Sequence, residues 1–487
     1  MVKIPPNTSD QECKGITETH SHIRYDEKAT RRLLRKIDLA LIPFLAFLYL
    51  LSFLDRSNIG NARLAGLEED LRIKGLDYNV ALAIFFPFYV FAEIPSNLMM
   101  KRFRPSIWIP SIMVAWGAMC LLMGIVHNYG SLLAVRAALG LAEGGLFPGI
   151  TFYITMWYRR HECGFRMAVF FSAATAAGAF GGLMARGIME LDGARSLSAW
   201  QWIFIIEGAI TVVVAIAAYF IMYDYPDTAR FLTKEDRREV QRRLEEDRSF
   251  LDDTFHLSYF WDAVRDWKIW MHMFITIGIY SPLYTLSLFL PTIVKNLGYK
   301  NSQAQLMTVP PYAVACFFCI LTGWVADRHR QRGIYMISCN IIGILGFILQ
   351  LATKNTRVRY LGTFFAAAGI YPNVSQTVAW NGNNIGGSTK RSVGIAMQVG
   401  FGNLGGVLSG FTYLNKDGPD YTQGHGIVIS LLSMSTFLCV FMRWWCVREN
   451  QRRDASDRAN MASGWRTEDM VAEARKGDKA GFFRYTI

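Results

Sequence analysis

Charge is scarce in this chain and unevenly spread. Asp, Glu, Lys and Arg supply 18% of the 487 residues, against 52% hydrophobic residues, and the charges bunch into short runs between long apolar blocks. Such blocks are long enough to cross a hydrocarbon layer about 30 Å thick, which excludes an ordinary soluble domain. Other absences narrow the function. The chain has no G-x-x-x-x-G-K-[ST] loop, no H-E-x-x-H pair and no nucleophile elbow. Nothing therefore points to direct ATP use or to catalysis; no enzyme, cofactor or metal site is expected, and the energy must come from a gradient. Residues 1–30 lack the short apolar core and small-residue cleavage site of a signal peptide, so the amino terminus is expected to stay in the cytosol. None of the eight cysteines, Cys13 included, falls in an expected exterior loop, which argues against a disulfide framework. Cys316 and Cys319 form a C-x-x-C spacing inside an apolar block with no second pair nearby, and they read as helix-packing residues. The glycan acceptor patterns at Asn7 and Asn373 fall in the cytosolic tail and inside a span, so neither is expected to be used.

What is present is a set of twelve apolar blocks, at 37–58, 79–100, 106–126, 131–152, 165–187, 200–222, 269–293, 306–326, 334–353, 358–380, 391–413 and 427–446. The fold class is all-α, with twelve transmembrane helices. Basic residues mark the loops on one side: Arg31, Arg32, Arg35 and Lys36; Lys101, Arg102 and Arg104; Arg159, Arg160 and Arg166; Arg328, Arg330 and Arg332; Lys390 and Arg391. By the positive-inside rule these loops and both termini are cytosolic. The +12 formal charge is then mostly topology, and no nucleic-acid partner is implied. The expected organisation is a cytosolic tail over 1–36, a six-helix bundle over 37–222, a cytosolic linker over 223–268, a second six-helix bundle over 269–446 and a cytosolic tail over 447–487. Within the linker, Thr233 is a candidate N-cap with Asp236 three residues on, opening an amphipathic helix to Arg248.

The two bundles carry a repeat. Phe147-Pro148, Trp157, Arg166 and Gly181-Gly182 in the first half match Tyr371-Pro372, Trp380, Arg391 and Gly405-Gly406 in the second, with spacings equal to within one residue. Parallel halves of this kind are the plan of the major facilitator fold, with its cavity between two six-helix bundles. Four-residue glycine spacings at Gly178 and Gly182 and at Gly402, Gly406 and Gly410 allow close helix approach.

Ionisable groups at membrane depth are costly and mark function. Arg136 and Glu143 lie on one face of span 4, about two turns apart. Asp55 and Arg56 close the strongly apolar part of span 1; adjacent positions diverge by about 100° around a helix, so only one of them points straight into a shared pocket. Arg is suited to gripping a carboxylate through its planar, permanently charged fork, and a buried Glu to taking up and releasing a proton. Arg136 is equally readable as a structural partner of Glu143. Tyr280 and Tyr284, ahead of a break expected at Pro291, and Gln376 and Trp380 each have i, i+4 spacing and are candidates to sandwich and orient a flat ring. Trp108, Trp200 and Trp202 read as interface anchors, and Glu207 as a structural ion-pair member.

The stretch Asp55-Arg-Ser-Asn58, the run Arg136 to Gly149, and the stretch from Lys390 through Gly402-Asn-Leu-Gly-Gly406 resemble the anion:cation symporter family of the major facilitator superfamily over nearly all of the membrane portion. Ile154 to Tyr158, Trp202 to Glu207 and Trp380 to Asn384 are most similar to its fungal allantoate-permease and nicotinate-transporter branch. The resemblance implies proton-coupled symport of a small organic carboxylate, nicotinate-like, by alternating access at the fungal plasma membrane, from a monomer in the lipid bilayer. It also implies that Arg56 contacts the substrate carboxylate, that Asp55 and Glu143 are protonation sites, and that Tyr89 and Asn403 line the cavity. A cavity residue common in span 5 of bacterial relatives is replaced by the small apolar run at Ala176-Ala177. A superfamily gate motif, Gly323 to Asp327-Arg328 and on to Arg332-Gly333, is well kept after span 8; its counterpart from Ser96 to Pro105 lacks the leading glycine and the aspartate. The competing transport reading is a carrier or exporter of another anion, such as allantoate, a sugar acid, a dipeptide or a pathway metabolite. The competing class is a nutrient receptor, which the modest carboxy-terminal tail disfavours.

Overall fold

The computed structural model describes residues 27–159, 162–248, 257–462, 477–481 and 483–487. Cys13, Asn7, Arg160 and the stretches 249–256 and 463–476 of the linker and tail lie outside the described residues.

Helices stand at all twelve expected places. In chain order they are α1 Glu27–Leu64, α2 Asp77–Ala83 continuing as Phe85–Arg102, α3 Pro105–Met123, α4 Tyr129–Glu143 continuing as Leu146–Thr155, α5 Cys163–Ile188 and α6 Ala199–Ile221. The second set is α7 Trp267–Asn296, α8 Val309–His329, α9 Gly333–Ala352, α10 Thr356–Asn383, α11 Ser388–Asn403 continuing as Gly405–Gly410, and α12 Thr422–Ala462. Nine of the described helices are long and apolar enough to cross a membrane. The other three, α2, α10 and α11, either bend at Ile84 or Leu404 or carry a line of buried amides such as Asn373, Gln376 and Asn381. All three touch the opposite bundle, where polar groups find protein rather than lipid.

Several ends differ from the hydropathy pattern. Helix α1 starts ten residues early and α12 runs on to Ala462, because polar helix needs no lipid to continue. The break expected at Pro291 is absent: α7 is continuous through Pro282 and Pro291, packed on nearly every side. Neighbouring helices stabilise such a Pro-containing segment.

Twelve helices form two bundles, α1–α6 and α7–α12, that meet along α1 with α7, α2 with α11, and α5 with α8 and α10. The repeated glycines sit at two of these crossings. A Cβ on Gly182 of α5 would come within 2.5 Å of the Gln305 carbonyl oxygen ahead of α8, and one on Gly406 of α11 would run into the Phe86 ring of α2. Small residues there let the opposite halves approach closely. The linker helix Lys234–Arg248 is capped as its sequence predicts, with the Asp236 N–H donating to Thr233 Oγ1 at 3.1 Å and the Thr233 N–H to Asp236 Oδ2 at 3.2 Å. It docks on the first bundle through Arg243 with Glu162 and Lys36 with Asp236. Lys36 and the helix N-terminus hold the Asp236 carboxyl below the usual carboxylate range, although burial alone would raise it.

Candidate functional site

Helix α4 lies against the backbone of α2 because its interior run is glycine-rich: a Cβ on Gly144 would overlap the Tyr89 carbonyl. That contact brings Glu143 at the end of the first α4 segment alongside Phe85 and Tyr89, and α1 completes the group with Ser52 and Arg56. Arg56 Nη2 donates to Glu143 Oε1 at 2.7 Å, and Ser52 Oγ donates to the same oxygen at 2.5 Å. Glu143 Oε2 has no hydrogen-bonding partner. The Arg56 guanidinium stands 4.6 Å from the Tyr89 ring centre and 5.1 Å from that of Phe85. Aromatic faces of this kind hold a cation without neutralising it.

The second bundle reaches the same arginine. Arg56 Nη1 donates to the Tyr284 hydroxyl at 3.3 Å, Tyr284 donates to Asn403 Oδ1 at 2.7 Å, and Asn403 Nδ2 donates toward Glu93 Oε2 at 3.4 Å. A chain of polar groups thus runs from α4 through α1, α7 and α11 to α2, crossing between the bundles twice. Tyr280 packs edge-on to Tyr284 at 6.1 Å, and its hydroxyl is buried without a partner. Arg56 is 5% exposed and Glu143 0%, so the centre is shut off from both faces of the protein. On the face away from the chain ends, Asn79 Nδ2 donates to the carbonyls of Gly410 at 2.5 Å and Tyr413 at 3.2 Å. On the face bearing the chain ends, α5 and α8 close together, with Cys319 Sγ 3.8 Å from the Ala168 carbonyl and Cys316 Sγ 3.7 Å from that of Ser172.

The candidate residues do not all come together. Arg56, Tyr89, Glu143, Tyr280, Tyr284 and Asn403 share the centre just described. Asp55 turns the other way, into the first bundle, where it accepts from Trp116 Nε1 and Thr211 Oγ1, both at 2.9 Å. Asp55 and Arg56 are both buried inside a helix that continues to Leu64, so neither marks a helix end. Arg136 does not pair with Glu143; its Nε donates to the Ala81 carbonyl at 3.2 Å, its two terminal nitrogens are buried without partners, and its guanidinium shares the Phe85 ring at 5.2 Å. Gln376 and Trp380 lie toward the face bearing the chain ends: Gln376 Oε1 accepts from Arg332 Nη1 at 2.7 Å, and Trp380 Nε1 donates to the Thr486 carbonyl at 2.8 Å. Asp327 is ion-paired with Arg332, while Arg328 lies over the Trp324 ring at 5.3 Å.

Glu207 departs from its expected role. Neither of its carboxylate oxygens has a hydrogen-bonding partner, and one turn along α6 Thr211 holds Asp55, so its charged neighbour is another carboxyl. Glu93, 3% exposed, and Ser52 are site members that the sequence reading passed over. Glu93 had a signal, being an acid inside span 2; Ser52 had none, since a lone serine in an apolar block is ordinary.

Residues 45–410 match the family model described as Major Facilitator Superfamily. The chain is similar to the MFS transporter prlL of Fungal sp. (strain NRRL 50135), 38% identical over 430 residues that cover 85% of this chain and 86% of that one. It is also similar to the high-affinity nicotinic acid transporter of Saccharomyces cerevisiae, 35% identical over 93% of this chain and 84% of that one. In fold it matches a bacterial homologue of the human lysosomal transporter Spinster, solved inward-facing and unoccupied, with TM-score 0.63 and 17% identity over 82% of this chain and 95% of that one.

Proposed function

Because the chain belongs to the Major Facilitator Superfamily, we propose that it carries a small organic carboxylate across the plasma membrane together with a proton, by alternating access, with both chain ends in the cytosol. The observation that supports this most is the position of Arg56, held by Glu143 from one bundle and by Tyr284 from the other. A substrate carboxylate and the Glu143 carboxylate compete for the same guanidinium. Substrate binds Arg56 when Glu143 takes up a proton and lets go. After the opposite face opens, the substrate leaves, Glu143 releases its proton there and reclaims Arg56. Each cycle moves one anion and one proton in the same direction, and the neutralised pair resets the empty carrier. Tyr89, Tyr284, Phe85 and Phe86 give the site aromatic walls, which suits a flat acid. The nicotinic acid transporter among its relatives supports the same substrate class. Asp55 is proposed as a second protonation site, acting from within the first bundle.

The test is uptake by the purified protein in proteoliposomes under an imposed pH gradient, with nicotinate and other small carboxylates against their amides. A desolvated arginine deprived of its anion is penalised by roughly 2–5 kcal/mol, so the amide should compete at least tenfold more weakly than the acid. Equal inhibition by acid and amide would return Arg56 to a structural role. Accumulation of allantoate or a sugar acid in place of nicotinate would keep the mechanism and change the cargo.

A further inference from the structure

The last residues of the sequence are bound into the second bundle by an unusually dense set of contacts. Asp478 is 1% exposed although it lies far from any membrane span in sequence. It sits between two lysines, accepting from Lys390 Nζ at the start of α11 at 2.7 Å and pairing with Lys268 at the start of α7. Asp266 completes a balanced quartet, 2.6 Å from Lys390 and 3.5 Å from Lys268. Burial would raise the Asp478 carboxyl, but the two lysines hold it below the usual carboxylate range. Arg453, on the extension of α12, donates to the carbonyls of Asp478, Ala480 and Phe483 at 3.0, 3.1 and 2.9 Å. Such a fan of bonds from one guanidinium fixes the path of a segment that has almost no helix of its own.

The path ends at the gate motif. Tyr485 exchanges backbone bonds with the Asn450 side chain at 2.8 and 2.9 Å, and the Thr486 N–H donates to Asn384 Oδ1 at 2.7 Å. The Ile487 main-chain oxygen then accepts from the Arg332 N–H at 2.7 Å. Arg332 is the residue whose side chain joins Asp327 and Gln376. Against that pair lies Gly164 at the start of α5, in the opposite bundle: a Cβ there would come within 2.7 Å of Arg332 Nη2 and 3.1 Å of the Asp327 oxygens.

We propose that residues 477–481 and 483–487 form a strap, locked by Asp478, that ties the ends of α7, α9, α10, α11 and α12 into one block and holds the Asp327–Arg332 pair closed against α5. Freeing the strap frees Arg332 and lets this face of the carrier open. The strap is thus a regulatory handle separate from the substrate centre, and it works for any cargo.

Native cysteines report the gate. Cys319 is buried in the α5–α8 crossing, whereas Cys120 and Cys439 are buried inside single bundles. Alkylation of the full-length protein by a small polar thiol reagent, resolved by residue through mass spectrometry, is compared with Asp478→Lys and with a protein lacking residues 477–487. Expected in both variants is a rise in Cys319 labelling on the order of tenfold, with Cys120 and Cys439 still unlabelled. Tryptic cutting at Arg484, now tied to Asp454 at 2.7 Å, should become faster in Asp478→Lys as the strap detaches. Unchanged Cys319 labelling in the shortened protein overturns the proposal. Labelling of Cys120 and Cys439 together with Cys319 overturns it as well, because the segment would then be holding the fold and not a gate.

Discussion

Between α1 and α6 the membrane interior buries Asp55, Arg56, Glu93, Arg136, Glu143 and Glu207, whereas between α7 and α12 it is tied together by neutral groups. There Gln398 donates to Thr276 Oγ1 at 2.7 Å and accepts from Asn381 at 2.8 Å, and Asn373 donates to Asn340 at 2.7 Å. The second bundle keeps its buried charges, Arg332, Lys390, Arg453 and Asp478, near the face that bears the chain ends. The halves share a repeat in their sequence and a fold, so the difference lies in what each was given to do. A buried charge interacts strongly and changes partners when a proton arrives; an amide network does not titrate and fixes shape. On the proposed mechanism the first bundle senses the proton and the anion, and the second presents a wall of Tyr284 and Asn403 against which the anion is held.

The sharpest way to break that contrast is at Arg56. Arg56→Lys keeps the charge but loses the fork that serves Glu143 and Tyr284 together, so uptake should fall at least tenfold, by the roughly 2–5 kcal/mol range for damaged buried charge pairs. Initial uptake rates at matched surface expression decide it, and near-normal uptake would remove Arg56 from the anion path. Glu143→Gln comes next. It fixes a neutral side chain that no longer competes for Arg56, so exchange of substrate down its own gradient should survive while accumulation driven by an imposed pH gradient disappears. A mutant that still concentrates substrate when the proton gradient is applied would move the coupling proton elsewhere, with Asp55 as the first place to look.

The sequence made the charged half far more legible than the neutral one. Arg56, Arg136 and Glu143 stand out because a charge within an apolar block has few innocent explanations. The same rule reaches Glu93, where the sequence reading stopped short. Direction was harder: adjacency in α1 separates Asp55 from Arg56 by about 100°, but which of them meets the other bundle depends on how α1 packs against α5, α6 and α7. Likewise Arg136 and Glu143 share a helix face, yet Glu143 finds its partner on α1, a tertiary contact that periodicity does not encode. In the second half, Gln376 and Trp380 have the same i, i+4 spacing as Tyr280 and Tyr284, and spacing alone does not give depth. One pair reaches the centre; the other meets Arg332 and the Thr486 carbonyl of the tail. The strap was illegible for a similar reason, since Asp478 is an ordinary acid until two lysines about 90 and 210 residues earlier fold around it.

The smallest expected effect tests whether the neutral half is only a wall. Tyr284→Phe keeps the ring, which packs on Phe86 at 4.8 Å and Tyr280 at 6.1 Å, and removes only the hydroxyl that links Arg56 to Asn403. Two hydrogen bonds are lost, but one is long at 3.3 Å, and Arg56 retains Glu143. With the long bond contributing little, the other's net contribution of about 1 kcal/mol predicts an apparent affinity weaker by roughly threefold to tenfold. The pH dependence of uptake should stay where it is, because no ionisable group at the Arg56–Glu143 pair has been altered. Uptake measured across a pH series gives both quantities from one experiment. If the loss of affinity comes with a displaced pH profile, the hydroxyl belongs to the proton path, and the division between a charge-handling bundle and a shape-holding one fails at the residue where the two halves meet.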